Sequence, residues 1–480
     1  MDVGLRTAAQ QAPHRLALVH PDGAYTYSDL AERVFSVCAA LDQRGIPRKD
    51  LVAIRASNRW QTVVLLLALI ERGTLFVPIH PRYTDHELSF VQKDAAIDRV
   101  FADSDVDSLI DTSSTGLSSH AVISDEETLA ILYSSGTTGT PKGAILSRSA
   151  FWASAKGSAE NLGFCEDDRW LVCLPLCHIG GLSIVTRCVL ARACMVLLPR
   201  FSAASVLEAI EAHRVTLLSV VPTMLHALLE ADERGILSRL RAVLCGGAAT
   251  PFPLLSRAVD RGVNVLCTYG LTEACSQVTV QKWLPKPLAR RGSGSPLQGV
   301  EVAIRGEAGS FLPSGQVGQI VVKGRSVMTG YLHRPPLAGD WLDTGDLGEL
   351  DDSGTLFVHA RRTDLIVTGG ENVYPAEVEQ ALLTIPQVRD ALVFGIPDEV
   401  WGALVCAALV VEKDFDQKQM ESALAERLAK FKRPRRFVVV DSFPELPNGK
   451  RDRLRAITRF GPMVQSPCTL RAGQGEPGAV

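Results

Sequence analysis

Residues 133–144 read YSSGTTGTPKGA, directly after the apolar run LAIL at 129–132. Ser134, Ser135, Gly136, Thr137, Thr138 and Gly139 interleave hydroxyls with glycines, and Lys142 follows. Glycines let backbone N–H groups approach phosphate oxygens, hydroxyls add donors, and an ammonium supplies charge. The string is a candidate phosphate cradle. It is not a GxxxxGK[ST] loop, because Pro141 precedes Lys142 and Gly143 follows it. A flexible polar turn after a strand is the bland alternative, and this string is more specific than that. Cys173, Cys177 and His178 form the one close group of metal-type ligands in the sequence. Their CxxxC spacing, the intervening Pro175 and the lack of a second ligand pair argue against a structural zinc site.

Positioning such a cradle calls for an α/β framework. Strand-like runs at 51–54, 76–79, 170–173, 193–198, 217–221 and 242–245 alternate with helical stretches at 60–70, 204–213 and 224–231. Residues 104–119, rich in Ser, Asp and Thr, predict a surface excursion. From 292 to 360 glycines, prolines and short β-type pieces such as 300–305 and 319–323 predict a small β subdomain. Beyond 361 a shorter α+β unit is expected, with a helix at 377–383 and strands at 391–394 and 405–411. Met420, Leu424 and Leu428 mark one helical face. The expected domains are 1–362, a large α/β body including the β subdomain at 292–360; 363–462, a smaller mobile α+β domain; and 463–480, a disordered tail.

The bulk numbers exclude more than they select. The 480 residues are 46% hydrophobic and 21% charged, with a net charge of -3, so nothing favours nucleic acid or an acidic membrane. No run approaches the roughly 20 apolar residues of a membrane span, and the first 21 residues lack the apolar stretch of an export signal. The cytoplasm is the expected compartment. The 11 cysteines are expected to be reduced core residues. The oligomeric state is not legible, with a homodimer one option.

The string at 133–144 resembles the first nucleotide motif of the adenylate-forming superfamily of acyl-CoA synthetases, carrier-loading adenylation domains and luciferases. The resemblance runs in order from about Thr7 to Leu454. YGLTE at 269–273 resembles the second motif. It implies Tyr269 at the adenine, Gly270 at the nucleotide, Thr272 at the α-phosphate and Glu273 holding Mg²⁺. GGAA at 246–249, with Gly247 and Ala248, resembles the loop along the adenine. WLDTGD at 341–346 resembles the ribose motif, implying that Asp346 and Arg361 hold the sugar. The family usually has glycine where Ala360 stands, a mild departure. PNGK at 447–450 makes Lys450 the catalytic lysine, meeting charge as a carboxylate attacks the α-phosphate. The resemblance also implies a hinge at Thr363 and Asp364, and Gly369 and Gly370 beside a CoA channel. ATP, Mg²⁺ and CoA are the implied cofactors.

PLCHIGGLS at 175–183 resembles the segment lining the acyl site, implying His178, Gly181 and Ser183 near the acid. Together with GLTEACSQ at 270–277 and GENVYPAEV at 370–378, it resembles the o-succinylbenzoate–CoA ligases of menaquinone synthesis. That acid is a dianion and needs a second anchor. A helix starting near Gly180 puts Ser183 and Arg187 on one face, so Arg187 is the candidate anchor, with Ser276 and Gln277 as lesser polar contacts. A surface arginine at a helix end is the alternative for Arg187. Other acids, a carrier-loading adenylation enzyme and an inactive homologue are the rival functions.

Overall fold

The computed structural model describes residues 4–111, 124–135, 141–247, 250, 252–306, 308–337, 339–360, 366–373, 375–444 and 453–465. It is a mixed α/β protein that divides into two units. The first holds the described residues of Met1–Pro81, Val91–Ser134 and Lys142–Arg361; the second holds those of Arg82–Phe90, Ser135–Pro141 and Arg362–Val480.

Two sheets of the first unit carry the site. Among the described residues one has nine strands, in the order Ser295–Pro296, Ser276–Val280, Val265–Leu271, Ala242–Cys245, Leu217–Val220, Arg169–Val172, Cys194–Leu197, Leu16–His20, Gly23–Thr26. Its six middle strands, from Val265–Leu271 to Leu16–His20, are parallel, and antiparallel strands finish both ends. Ala242–Cys245, Leu217–Val220 and Cys194–Leu197 are buried along their whole length, as parallel strands covered on both faces must be. The sheet of six runs Gly330–Tyr331, Pro141–Ser147, Thr128–Ser135, Leu75–Ile79, Leu51–Arg55, Arg99–Phe101. The aliphatic run at 63–70 is the middle of the helix Trp60–Arg72, and each of those eight side chains is buried. Four antiparallel strands, Val300–Arg305, Gly318–Gly324, Leu342–Leu350 and Leu356–Ala360, make a separate small sheet.

In the second unit Val388–Asp398 pairs with Gly402–Val411, which also pairs in parallel with Arg436–Val439. Met420, Leu424 and Leu428 are buried together along the helix Gln417–Arg427 and its C-cap.

Two expectations change. Of the excursion expected at 104–119, the part to 111 is the helix Asp103–Asp111 and 112–119 lie outside the described residues: Val106 and Leu109 fall three apart and are buried, and Asp103 and Asp105 lie in its first turn. The helix Arg453–Gln465 runs through Pro462 and buries Phe460 and Val464, so ordered structure passes 463. No described helix is long and apolar enough to cross a membrane.

Candidate active site

Glu273 stands in the short turn Thr272–Ala274, which follows the strand Val265–Leu271, and is 2% exposed. One of its oxygens accepts from the Ser134 hydroxyl at 2.8 Å and from the Tyr331 hydroxyl at 2.8 Å. The Lys142 ammonium lies 5.6 Å from the centre of the Tyr331 ring. The first and second motifs thus converge on one carboxylate. A buried carboxylate beside two hydroxyls is an all-oxygen donor set, which fits a hard cation such as Mg²⁺.

Asp346, on the strand Leu342–Leu350, accepts from the Tyr269 hydroxyl at 2.6 Å. Both are buried, and the Thr344 hydroxyl accepts from the Asp346 amide at 3.1 Å. Tyr269 therefore orients the carboxylate, and its ring belongs to an apolar cluster with Ala274 and Val278. Gly270 lies where the strands Val265–Leu271 and Ser276–Val280 pair closely. A Cβ there would meet the Ser276 carbonyl oxygen at 1.9 Å. The return between these strands passes through Cys275 (φ 51°) and Ser276 (φ 92°), uncommon for residues other than glycine. The buried Ser154 hydroxyl donates to the Cys275 carbonyl at 2.6 Å and holds this turn.

Ser276 is also where Arg187 arrives. His178 is the N-cap of the helix Ile179–Ala191, in which Gly181, Ser183 and Arg187 are all buried. Arg187 donates to the Ser276 hydroxyl at 3.2 Å, and Ser183 donates to it at 3.4 Å. The guanidinium lies 5.4 Å from the centre of the Trp170 ring. Arg187 is 2% exposed, its Nε has no hydrogen-bond partner, and it forms no ion pair among the described residues. Burial pushes it down to about 10. The surface-arginine alternative fails, and this is a buried cation without an anion. Beside Ser276, the buried Gln277 has an Oε1 that also lacks a partner.

Gly247 follows the strand Ala242–Cys245. In the second unit Gly369 and Gly370 turn the chain between Ile366–Thr368 and Glu371–Val373, with φ of 56° and 84°. Positive φ at both positions of a two-residue turn accounts for the pair locally. Ser135 closes its strand. Gly136, Thr137, Thr138, Gly139, Ala248, Arg361 and Lys450, and the hinge at Thr363 and Asp364, lie outside the described residues. Tyr331, Trp170, Ser154 and His80, whose ring centre is 5.6 Å from that of His178, were not legible. No local pattern marks them, since each partner lies far along the chain.

The model of the AMP-binding enzyme family matches residues 5–332, and that of the AMP-binding enzyme C-terminal domain matches 377–450. The 2-succinylbenzoate–CoA ligase of Bacillus subtilis (strain 168) is 37% identical over 467 residues, covering 93% of this chain and 95% of that one. A solved o-succinylbenzoate CoA synthetase from Bacillus subtilis, a double mutant bound to a product analogue, superposes with a TM-score of 0.87. It is 35% identical and covers 94% of this chain and 97% of its own. A second structure of that synthetase, in complex with ATP and magnesium ion, gives 0.71 at 35% identity, covering 94% and 98%.

Proposed function

The chain belongs to the AMP-binding enzyme family, and we propose that it is an ATP- and Mg²⁺-dependent 2-succinylbenzoate–CoA ligase of menaquinone synthesis. In the first half-reaction a succinyl carboxylate oxygen attacks the α-phosphorus of ATP. The bond to pyrophosphate breaks, pyrophosphate leaves with its electron pair, and an acyl adenylate remains. In the second, the CoA sulfur attacks the acyl carbon, AMP leaves, and the thiol proton passes to solvent.

The residues divide this work by chemistry. Ser134, Ser135, Gly136, Thr137, Thr138, Gly139 and Lys142 receive the phosphates, and Thr272 meets the α-phosphate. Glu273 would hold Mg²⁺, which neutralises phosphate charge when bound. Tyr269, Gly270, Gly247 and Ala248 border the adenine, and Asp346 with Arg361 binds the ribose. His178 and Gly181 lie beside the activated carboxylate, and Gly369 with Gly370 lines the path of CoA. Lys450 stabilises charge developing at the α-phosphate. Residues 363–462 form a mobile domain serving the two half-reactions in turn. The cytoplasm, where ATP and CoA are made available, is the compartment.

One observation carries the choice of acid. Arg187 is a buried guanidinium that meets the Ser276 hydroxyl, with Ser183 nearby, and the Trp170 ring, and has no anionic partner among the described residues. An unpaired buried cation is costly unless a ligand supplies the anion. The benzoate group of 2-succinylbenzoate is such an anion, and a guanidinium matches it in shape. Ser183, Ser276 and Gln277 supply further polar contacts. Pyrophosphate release with ATP, Mg²⁺ and CoA against 2-succinylbenzoate, benzoate and short to long fatty acids tests this. CoA-dependent turnover confined to 2-succinylbenzoate is expected, and a preferred monocarboxylate would discard the assignment of the acid.

A further inference from the structure

His80, Cys177 and His178 reach one place from two distant parts of the chain. His80 follows the strand Leu75–Ile79, and Cys177 and His178 end the loop before the helix Ile179–Ala191. One ligand atom from each lies within 4.8 Å of the others; His80 and Cys177 are buried and His178 is half-buried. The loop is fixed from outside the cluster. Asn58 donates through its amide to the Leu174 carbonyl at 3.0 Å and accepts from the Leu176 amide at 3.0 Å. The His178 amide donates to the Pro175 carbonyl at 3.1 Å. Cys173, four residues before Cys177, takes no part: its sulfur lies 3.9 Å from the Ser219 carbonyl, and burial pushes its thiol up to about 12.

We propose that His80, Cys177 and His178 form a three-ligand site for a borderline-soft divalent cation, represented by Zn²⁺. Two imidazole nitrogens and a thiolate are a ligand set that such ions take and that Mg²⁺ does not. With metal–ligand bonds of about 2.0–2.3 Å, tetrahedral donors stand roughly 3.3–3.7 Å apart, so no pair has to close by more than about 1.5 Å on binding. Cys177 binds as thiolate and gives its proton to solvent. Three protein ligands leave one position, which a water molecule fills. Because His178 also borders the activated carboxylate, the cation competes with the acid; this consequence rests on the function proposed above.

The reduced full chain, free of Mg²⁺ and nucleotide, is titrated with Co²⁺ while the thiolate-to-cobalt charge-transfer absorption is followed. One equivalent is expected, displaced by Zn²⁺. Cys177→Ser abolishes the band and weakens Zn²⁺ binding at least about tenfold, the lower end of the loss from removing a group that merely orients a ligand. Cys165→Ser, at an exposed cysteine elsewhere, leaves both unchanged. His80→Ala gives the same weakening if Cys177→Ser does not fold, with a thermal melt reporting folding. No band in the unaltered chain, or one that survives both substitutions, overturns the site. Saturating 2-succinylbenzoate is expected to weaken Co²⁺ binding. A band indifferent to the acid leaves the metal site standing and overturns the placing of His178 at the carboxylate.

Discussion

Arg187→Met separates binding from stability. The guanidinium is buried, donates one hydrogen bond, to Ser276, and has no ion pair among the described residues. Removing one partner of a buried ion pair costs about 3–5 kcal/mol. Ser183 and Ser276 would remain to contact the second carboxylate, so the lower half of that range applies. Since 1.4 kcal/mol is a factor of ten, kcat/KM for 2-succinylbenzoate should fall roughly 10²–10³-fold. A monocarboxylate has no group for Arg187 and should lose little. The ligand-free protein loses an uncompensated cation, so its melting temperature should stay level or rise. The pH dependence has a definite sign. A base pushed down to about 10 keeps its charge at neutral pH and loses it as pH rises through that value. The preference for the dianion should therefore be flat near neutrality and fade only on the alkaline side. The assay is pyrophosphate release for the two acids across pH, beside a thermal melt of each protein. Equal losses for both acids, together with a lower melting temperature, would refute the reasoning and make Arg187 a packing residue.

Lys450→Ala should slow adenylate formation by about 10²–10³, the loss typical of one aimed charge, while thioester formation from supplied acyl adenylate survives. Separate assays of the half-reactions check this, and equal effects on both would remove Lys450 from its role. Tyr331→Phe deletes a hydroxyl that donates to Glu273 beside that of Ser134. A hydrogen bond to a charged group contributes about 1.5–3 kcal/mol, so pyrophosphate release should drop at least about tenfold with the fold intact. Gly270→Ala drives a methyl against the Ser276 backbone, with the carbonyl oxygen at 1.9 Å and its carbon at 2.7 Å. Overpacking of this kind costs about 1–3 kcal/mol, seen as a melt lowered by several degrees. An unchanged melt would show that the hairpin yields easily.

What was legible in the sequence was what a short stretch can encode. The phosphate-type string at 133–144 and the corner at 269–273 each hold their chemistry in neighbouring residues. The strand runs at 217–220 and 242–245 are apolar enough to predict burial on both faces. What was hidden is what joins distant stretches. Tyr331 reaches Glu273 across 58 positions, Tyr269 reaches Asp346 across 77, and Arg187 meets Ser276 across 89. No periodicity reports such pairings. Composition also misled at 103–111, where four aspartates and two serines read as loop although the apolar spacing is helical. The resemblance ties the glycines at 369 and 370 to a CoA channel, while their backbone angles meet the demand of a turn. The strain at Cys275 and Ser276 had no signature at all, because neither residue type announces positive φ.

The strand Pro141–Ser147 gains its outer neighbour, Gly330–Tyr331, very late in the chain. Ile145 and the Thr329 amide that donates to its carbonyl are 184 residues apart. At 5–20 residues per second that stretch takes about 10–40 s to synthesise. Through that interval the nascent chain has an unfinished sheet edge carrying Ile145 and Leu146, a template for pairing with other chains. Two residues that later close the edge also bring Tyr331 to Glu273, so the same late event ends the aggregation hazard and completes the carboxylate's surroundings. A ribosome that stalls before residue 330 would leave both undone, and truncated chains of that length should be sticky as well as inactive.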